Sequence, residues 1–273
     1  MFTHLARLWS YREMVGNLVA RDLKVKYKGS VLGFAWSFLN PAIMIGLYFL
    51  VFSIIIPGIK QDIPNYGLFL IAGMWPWMTF SSAAGKSAPL FILQHDLLKK
   101  VYFPREVLPI STVLAEFVNF GIGGVLFLLV LLFSHVSFGW WSLLLIPLAA
   151  SLLALTLAVA LTVSSTDVFF RDMEQILNSS LTILFFASPI VYTLRKVHEV
   201  QSDHPFIGYL IPFNPLTWII PTFRYAFLGP RSYDPLPISP TAIAFICLGG
   251  TLLTLLIAYV RFKQLEYRIV EEV

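Results

Sequence analysis

Few residues in this chain have the types and spacing to do chemistry. The stretch SAAGKSAP, residues 82–89, contains the Gly85-Lys86-Ser87 ending of a phosphate-binding loop. Such a loop also needs a glycine five positions before Gly85, so that backbone amides can cradle phosphate, and Phe80 stands there. No strand pattern precedes it, so nucleotide binding at this point is excluded. The 5 histidines are scattered along the chain, and neither a zinc-ligand spacing nor a nucleophile elbow occurs. The stretch TDVFFRDMEQIL, residues 166–177, gathers Asp167, Arg171, Asp172, Glu174 and Gln175. Its acids are the only candidate acid–base group. They read better as helix-start residues, with Thr166 or Asp167 as a cap and Asp172 and Glu174 favoured by the helix dipole. Lys86 and Glu116 lie inside long apolar stretches, where a charge is costly and marks a pathway or a partner. The sequence predicts no catalytic residue and no metal site.

The elements that position these residues are set by composition. Of 273 residues, 58% are hydrophobic and only 12% charged, and the mean hydropathy is +0.78. A soluble domain carries about twice that share of charge. The chain therefore reads as an all-α integral membrane protein, because the apolar runs have the roughly 20-residue length of a spanning helix. Barrel strands would instead alternate in segments of about 10 residues. Six spans are expected, at roughly 31–56, 66–93, 107–134, 141–165, 173–194 and 239–260. The single cysteine, Cys247, rules out an internal disulfide and reads as a buried thiol. The N-terminal stretch lacks the apolar core of a signal peptide.

Basic residues crowd into 7–28, 99–105 and 261–268, with Arg171 added between spans four and five. The opposite side holds Lys60, Arg195, Lys196, Arg224 and Arg231. The positive-inside rule then puts both termini in the cytosol of a multi-pass cell-membrane protein. The expected organisation is a single transmembrane domain over 1–273. It comprises a cytosolic segment 1–30, spans one to five within 31–194, an extracytoplasmic region 195–238, span six at 239–260 and a cytosolic tail 261–273.

Residues 15–28 predict an amphipathic interfacial helix, with Val15, Leu18, Val19 and Leu23 on one face and Asn17, Arg21, Lys24 and Lys28 opposite. The loop QHDLLKKVYFPREVLP predicts a short cytosolic helix that Pro104 ends. After span five, HPFIGYLIPFNPLTWIIPTFRYAFLG is too broken by Pro212, Pro215 and Pro221 to span, and predicts re-entrant or interfacial helices. By depth, Lys86 and Glu116 fall about ten residues either side of the loop between spans two and three, so they are placed to pair across that hairpin. Trp36, Phe38 and Tyr48 of span one are candidates to line a path, although most aromatic residues here serve packing and interface belts.

Four stretches carry a resemblance beyond these patterns. RDLKVKYKGSVLGFAWSFLNPAI, VFFRDMEQIL, SPIVYTL and FNPLTWII occur in order and spacing similar to the permease subunits of ABC-2-type polysaccharide exporters, the wall teichoic acid and lipid-linked O-antigen exporters. The resemblance implies a homodimeric permease, not an enzyme, working with separate ATP-binding cassette subunits. ATP and magnesium would be bound by those partners, and no cofactor by this chain. It implies a lipid-linked glycan substrate, contact with membrane lipids and no role for nucleic acid. A coupling helix then falls at His95, Asp96, Leu97, Lys99, Lys100, Tyr102 and Phe103, and the second loop facing the ATPase contains Arg171 and Asp172. Outer gate helices fall at 205–213 and 215–228, with Phe213 and Trp218 as gate residues. Arg21, Lys24 and Lys28 become candidates for the lipid diphosphate headgroup, and Trp36, Phe38, Tyr48, Lys86 and Glu116 for the translocation path. Export of drugs or other lipids, and a membrane glycosyltransferase or acyltransferase acting on lipid-linked sugars, stand as alternatives. A passive channel would not need the loops that face an ATPase.

Overall fold

The computed structural model describes residues 9–27, 33–55, 63, 65–134, 139–170, 172–203, 211–232 and 234–272. The described residues are helical, with no strand among them. Three helices are long and apolar enough to cross a membrane: Val107–Phe133 (α6), the helix Leu145–Asp167 (α7) with its preceding turn from Trp140, and Pro240–Ile269 of the helix Pro240–Glu272 (α11). At about 1.5 Å per residue each exceeds the roughly 30 Å hydrocarbon layer. Their outward faces remain apolar, as at Val125 and Leu132 of α6 and Phe245 and Leu253 of α11. A helix apolar on both its packed and its open side is suited to lipid rather than water.

Around these lie Arg12–Tyr27 (α1), Trp36–Leu50 (α2), Tyr66–Ser87 (α3), two short pieces Leu90–Leu93 (α4) and His95–Lys100 (α5), Met173–Ala187 (α8), Leu194–Asp203 (α9) and Leu216–Leu228 (α10). Several boundaries depart from the sequence expectation. The second apolar run is broken after Ser87 and resumes as the short α4, because Pro89 removes a donor and crowds the preceding turn. α8 ends at Ala187, before Ser188 turns extended and Pro189 follows, well short of residue 194. α11 passes 260 without interruption, so the expected tail is helix to Glu272. Helix α5 stops at Lys100, ahead of Pro104, with Val101 already extended.

The main core joins α3, α6, α7, α8 and α10. Trp75 stacks on Phe120 with ring centroids 4.1 Å apart, and Phe127 meets Phe227 edge-on at 4.7 Å. The Trp75 ring needs both Gly123 and Gly124, since a Cβ at either would sit 2.9 or 2.6 Å from it. α7 and α11 pack along one another, and α10 lies against α3, α7 and α11 near one end of the bundle.

That end is held by one buried ion pair. Arg224 of α10, fully buried, donates from Nη1 to Asp234 Oδ2 at 2.9 Å. Nε donates to the Phe69 carbonyl at 3.2 Å, Nη2 donates to the Ile190 carbonyl, and the guanidinium lies 3.5 Å from the Phe69 ring centre. Asp234 in turn accepts from the Leu194 amide at 3.0 Å. Tyr66 donates to the Val191 carbonyl at 2.9 Å beside it. The sequence places Arg224 in the region between spans five and six; within that region its side chain is buried. Gly73 makes its seat, because a Cβ there would stand 2.7 Å from Nη2 and 3.1 Å from the Ile190 oxygen.

The opposite end has its own apolar cluster, in which Leu18, Phe91, Leu98, Phe103, Phe262 and Ile269 meet. Here Lys263 of α11 donates to Glu106 at 2.6 Å and to Glu266 at 2.9 Å.

Removing one partner of a buried pair strands the other, at a cost of about 3–5 kcal/mol. Asp234→Asn should therefore lower the thermal stability of the detergent-solubilised protein more than the double change Arg224→Met with Asp234→Leu. Gly73→Ala should cost about 1–3 kcal/mol by overpacking. Equal melting temperatures for Asp234→Asn and the parent would contradict the role given to the pair.

Candidate functional site

A cleft of about 700 Å³ opens between α2, α3 and α6. Trp36, Phe38, Lys86 and Glu116 all border it. Tyr48 does not; it turns to the other side of α2, with its ring 5.2 Å from that of Phe185 on α8. Ile45, Phe49, Leu126 and Val130 make much of the remaining wall apolar. At one end Lys86 Nζ and Glu116 Oε1 form an ion pair between α3 and α6. The partners are unequally placed: the Lys86 side chain is 47% exposed and that of Glu116 only 6%. Lysine can reach toward polar surroundings on its flexible stem, whereas the carboxylate cannot. One turn along α6, both amide atoms of Asn119 are buried without a partner in the same cleft. Sequence signals Glu116 as a charge in an apolar helix with Asn119 about one turn beyond it; Trp75 becomes relevant only through the fold.

α1 closes the near end of this hairpin. Leu18 is buried against α6, with Met14 and Val15 beside it, while Asn17, Arg21 and Lys24 are exposed. Asp22 and Leu23 approach Lys86, Thr112 and Glu116 around a gap of water size. Arg21 bonds Asp22 at 3.2 Å and reaches the Gln94 side chain at 3.3 Å, tying α1 to the start of α5. Lys24 stands open, and Lys28 lies outside the described residues.

The chemistry expected of the loop between spans two and three divides by exposure. Asp96, Lys99, Lys100 and Tyr102 project outward, Tyr102 being 81% exposed. Leu97 and His95 are half-buried, and Phe103 is buried with Leu98 in the cluster beneath. Phe103 thus anchors the segment and offers no contact surface. In the second loop Asp172 is exposed at the position before α8 and makes no side-chain cap bond. Thr166 bonds back to the Thr162 carbonyl at 2.6 Å instead of capping. The buried Asp167 carboxylate meets the Glu174 amide, so α8 is started by the last residue of α7. Arg171 lies outside the described residues.

Of the gate candidates, Phe213 is 86% exposed beyond a single turn Ile211–Phe213, and Trp218 is pinned by its indole N–H to the Pro212 carbonyl at 2.9 Å. Most of the first gate piece, namely 205–210, lies outside the described residues; the second is α10. Among the described residues no group of acids, histidines or cysteines could hold a metal ion.

The unequal burial of the cleft pair has a measurable result. Lys86→Met takes the cation away from a buried carboxylate and should cost about 3 kcal/mol, whereas Glu116→Gln should cost about 1 kcal/mol or less. The double variant should match Glu116→Gln in thermal unfolding; additive losses would contradict the pairing.

Among the described residues the arrangement offers an apolar cleft, an end with exposed basic residues and no assembled catalytic group. The ABC-2 type transporter family profile matches residues 14–228. The O-antigen export system permease protein RfbA of Myxococcus xanthus is 33% identical over 249 residues, covering 91% of this chain and 93% of its own length. RfbA of Klebsiella pneumoniae is 32% identical over 256 residues, covering 92% and 91%. The polysialic acid transport protein KpsM of Escherichia coli is 24% identical over 216 residues, covering 77% and 80%. With a profile match over most of its length and relatives above the 30% level across nine-tenths of both chains, this chain belongs to the ABC-2 type transporter family of membrane permeases.

Proposed function

We propose that this permease exports a polysaccharide carried on a lipid, of the O-antigen or teichoic acid kind, from the inner to the outer leaflet. The observation that carries this reading is the similarity to O-antigen export permeases along nearly the whole of both chains. The likeness to KpsM, a polysialic acid transport protein, points in the same direction. In this reading α2, α3 and α8 join the three long apolar helices to make six spans, and α1 lies in the inner interface. Two copies form the transport unit, both termini face the cytosol, and two separate ATPase subunits supply ATP and magnesium chemistry. Helix α10 and the turn before it act as the outer gate, with Phe213 and Trp218 at its edge.

The individual roles follow from this frame. Asp96, Lys99, Lys100 and Tyr102, which stand open at one end, contact the ATPase, as do Arg171 and Asp172 of the second loop. His95 and Leu97 orient α5, and Phe103 anchors it in the apolar cluster. Arg21, Lys24 and Lys28 attract the diphosphate headgroup of the carrier at the inner leaflet. Trp36, Phe38, Lys86 and Glu116 border the route, and the apolar walls of the cleft suit hydrocarbon of the carrier better than its sugars. Tyr48 lies on the opposite face of α2, toward α8, where it can border the route only through a second copy.

Gentle extraction followed by affinity purification tests the assembly. A soluble ATPase should co-purify in equal amount, and Lys99→Glu or Arg171→Glu should reduce its recovery by at least fivefold. Reconstituted with that ATPase, the permease should show hydrolysis stimulated by a lipid-linked glycan. A permease that purifies alone and binds no cassette ATPase on reconstitution would overturn the reading.

A further inference from the structure

The cleft between α2, α3 and α6 is polar at one end only. Its three helices alternate in direction. A Cβ on Gly67, at the start of α3, would meet the Phe49 ring near the end of α2 at 3.6 Å, while Lys86, at the end of α3, pairs with Glu116 early in α6. Asn40, Thr79, Ser82, Lys86, Glu116 and Asn119 therefore gather at the end that α1 closes. The wall beyond them, from Ile45 and Phe49 to Leu126 and Val130, is apolar. From Glu116 to Val130 the cleft follows α6 for about 20 Å.

Three features call for an occupant from outside the bundle. No side chain of α2 that the structure describes is buried, so this helix is packed incompletely along the cleft. Leu126 and Val130 stay exposed on the facing wall. Both amide atoms of Asn119 are buried with no partner among the described residues, as is the indole N–H of Trp75 one turn along, beside Gly123. Such groups normally find a partner. The Asn119 amide is covered as it stands, but its terminal torsion is soft, and a turn about that bond presents it to the cleft it borders.

The spread of polarity selects the occupant. The outward faces that a second copy would bring, such as Phe245 and Leu253 of α11, are apolar and leave Asn119 unmet. A diphosphate headgroup would face Glu116, and Lys86 is already balanced by that carboxylate. A zwitterionic glycerolipid matches both ends, because its chains are hydrocarbon and its ester carbonyls are uncharged acceptors at the hydrocarbon boundary. Asp22 and Leu23 of α1, the helix read above as interfacial, approach Lys86 and Glu116 at that level. We infer that the cleft binds one zwitterionic glycerophospholipid of the bilayer, with an acyl chain between α2 and α6 and its ester carbonyls at Asn119. The lipid completes the packing of α2 on the side away from Tyr48 and α8. A volume of about 700 Å³ falls within the roughly 300–1,000 Å³ of small-molecule sites, which are also mostly apolar with a few convergent polar groups. Such binding depends on the membrane setting of the fold, and on neither the exported substrate nor the ATPase.

The test uses the full-length protein in phosphatidylcholine nanodiscs doped with a phosphatidylcholine that carries a diazirine in its acyl chain. Illumination should label α2 and the Leu126–Val130 turn of α6 at least fivefold above the outward face of α11, read by mass spectrometry. Gly46 lines the cleft and a Cβ there meets nothing within 4 Å, so Gly46→Phe places a ring in the cleft with little risk to folding. It should cut the cleft label at least fivefold and leave the label at Phe245 and Leu253 unchanged. Asn119→Leu removes an unmet amide; it should raise the melting temperature of the delipidated protein and shrink the further rise that added phosphatidylcholine gives the parent. Equal labelling of α6 and α11, or a cleft label indifferent to Gly46→Phe, would mean ordinary annular contact and overturn the site. Displacement of the label by a polyprenyl phosphate at a tenth of the phosphatidylcholine concentration would overturn it in favour of a carrier lipid. A parent cleft without label, together with loss of dimers in Gly46→Phe, would overturn it in favour of a second copy.

Discussion

The pair of Arg224 and Asp234 is the constraint on which one whole end of the molecule depends. A charge in that position is tolerable only if its donors are met, and they are met by three separate pieces of chain. Through Arg224, α10 is tied to the Phe69 carbonyl of α3 and to the Ile190–Tyr192 segment after α8. Asp234 adds the start of α9 through the Leu194 amide. A helix of 13 residues with a proline inside could not hold a fixed place by its own backbone bonds. It does so because leaving its place would expose an arginine to an apolar core. Such an arrangement adds little net stability compared with a well-packed apolar one, but it strongly disfavours partial displacement.

The opposite end uses the same residue types to another effect. Lys263 satisfies two carboxylates and so joins the loop after α5 to the far end of α11. Phe262 and Ile269, both buried, back the join with apolar packing against Phe91 and Leu98. Because α11 packs along α7, and α10 lies against both, the two ends share continuous rigid elements. A displacement of α5 is therefore presented to α11 directly, not through a loose tail.

Much of this was legible in the sequence, and the parts that were not share a cause. Apolar length alone marks α6, α7 and α11, because lipid demands unbroken backbone pairing over a set distance. Periodicity gave the packed face of α1, with Leu18 inward and Arg21 outward. It could not show that α11 continues to Glu272, since residues beyond 260 are charged and read as a tail; their helix is secured by Phe262 and Ile269, spaced seven apart and buried. Arg224 was hidden for the reverse reason. Its neighbours place LTWIIPTFRYAFL in a re-entrant or interfacial helix, and only Asp234, ten residues on, and Gly73, far back in α3, make the burial of its charge possible. Gly73 carries no sequence signal of its own. Tyr48 shows the same limit on a smaller scale: Trp36, Phe38 and Tyr48 share a helix, and the helix turns the third away from the cleft.

The two ends differ in how deeply their ion pairs are buried. Arg224 has a carboxylate and three carbonyls, so nothing from outside can improve its position. At the other end the Lys263 side chain keeps 23% of its surface open while it holds Glu106 and Glu266, so that join is made at the edge of the bundle and not within it. A fully buried pair fixes its end against partial displacement, whereas a pair at the edge still meets its surroundings.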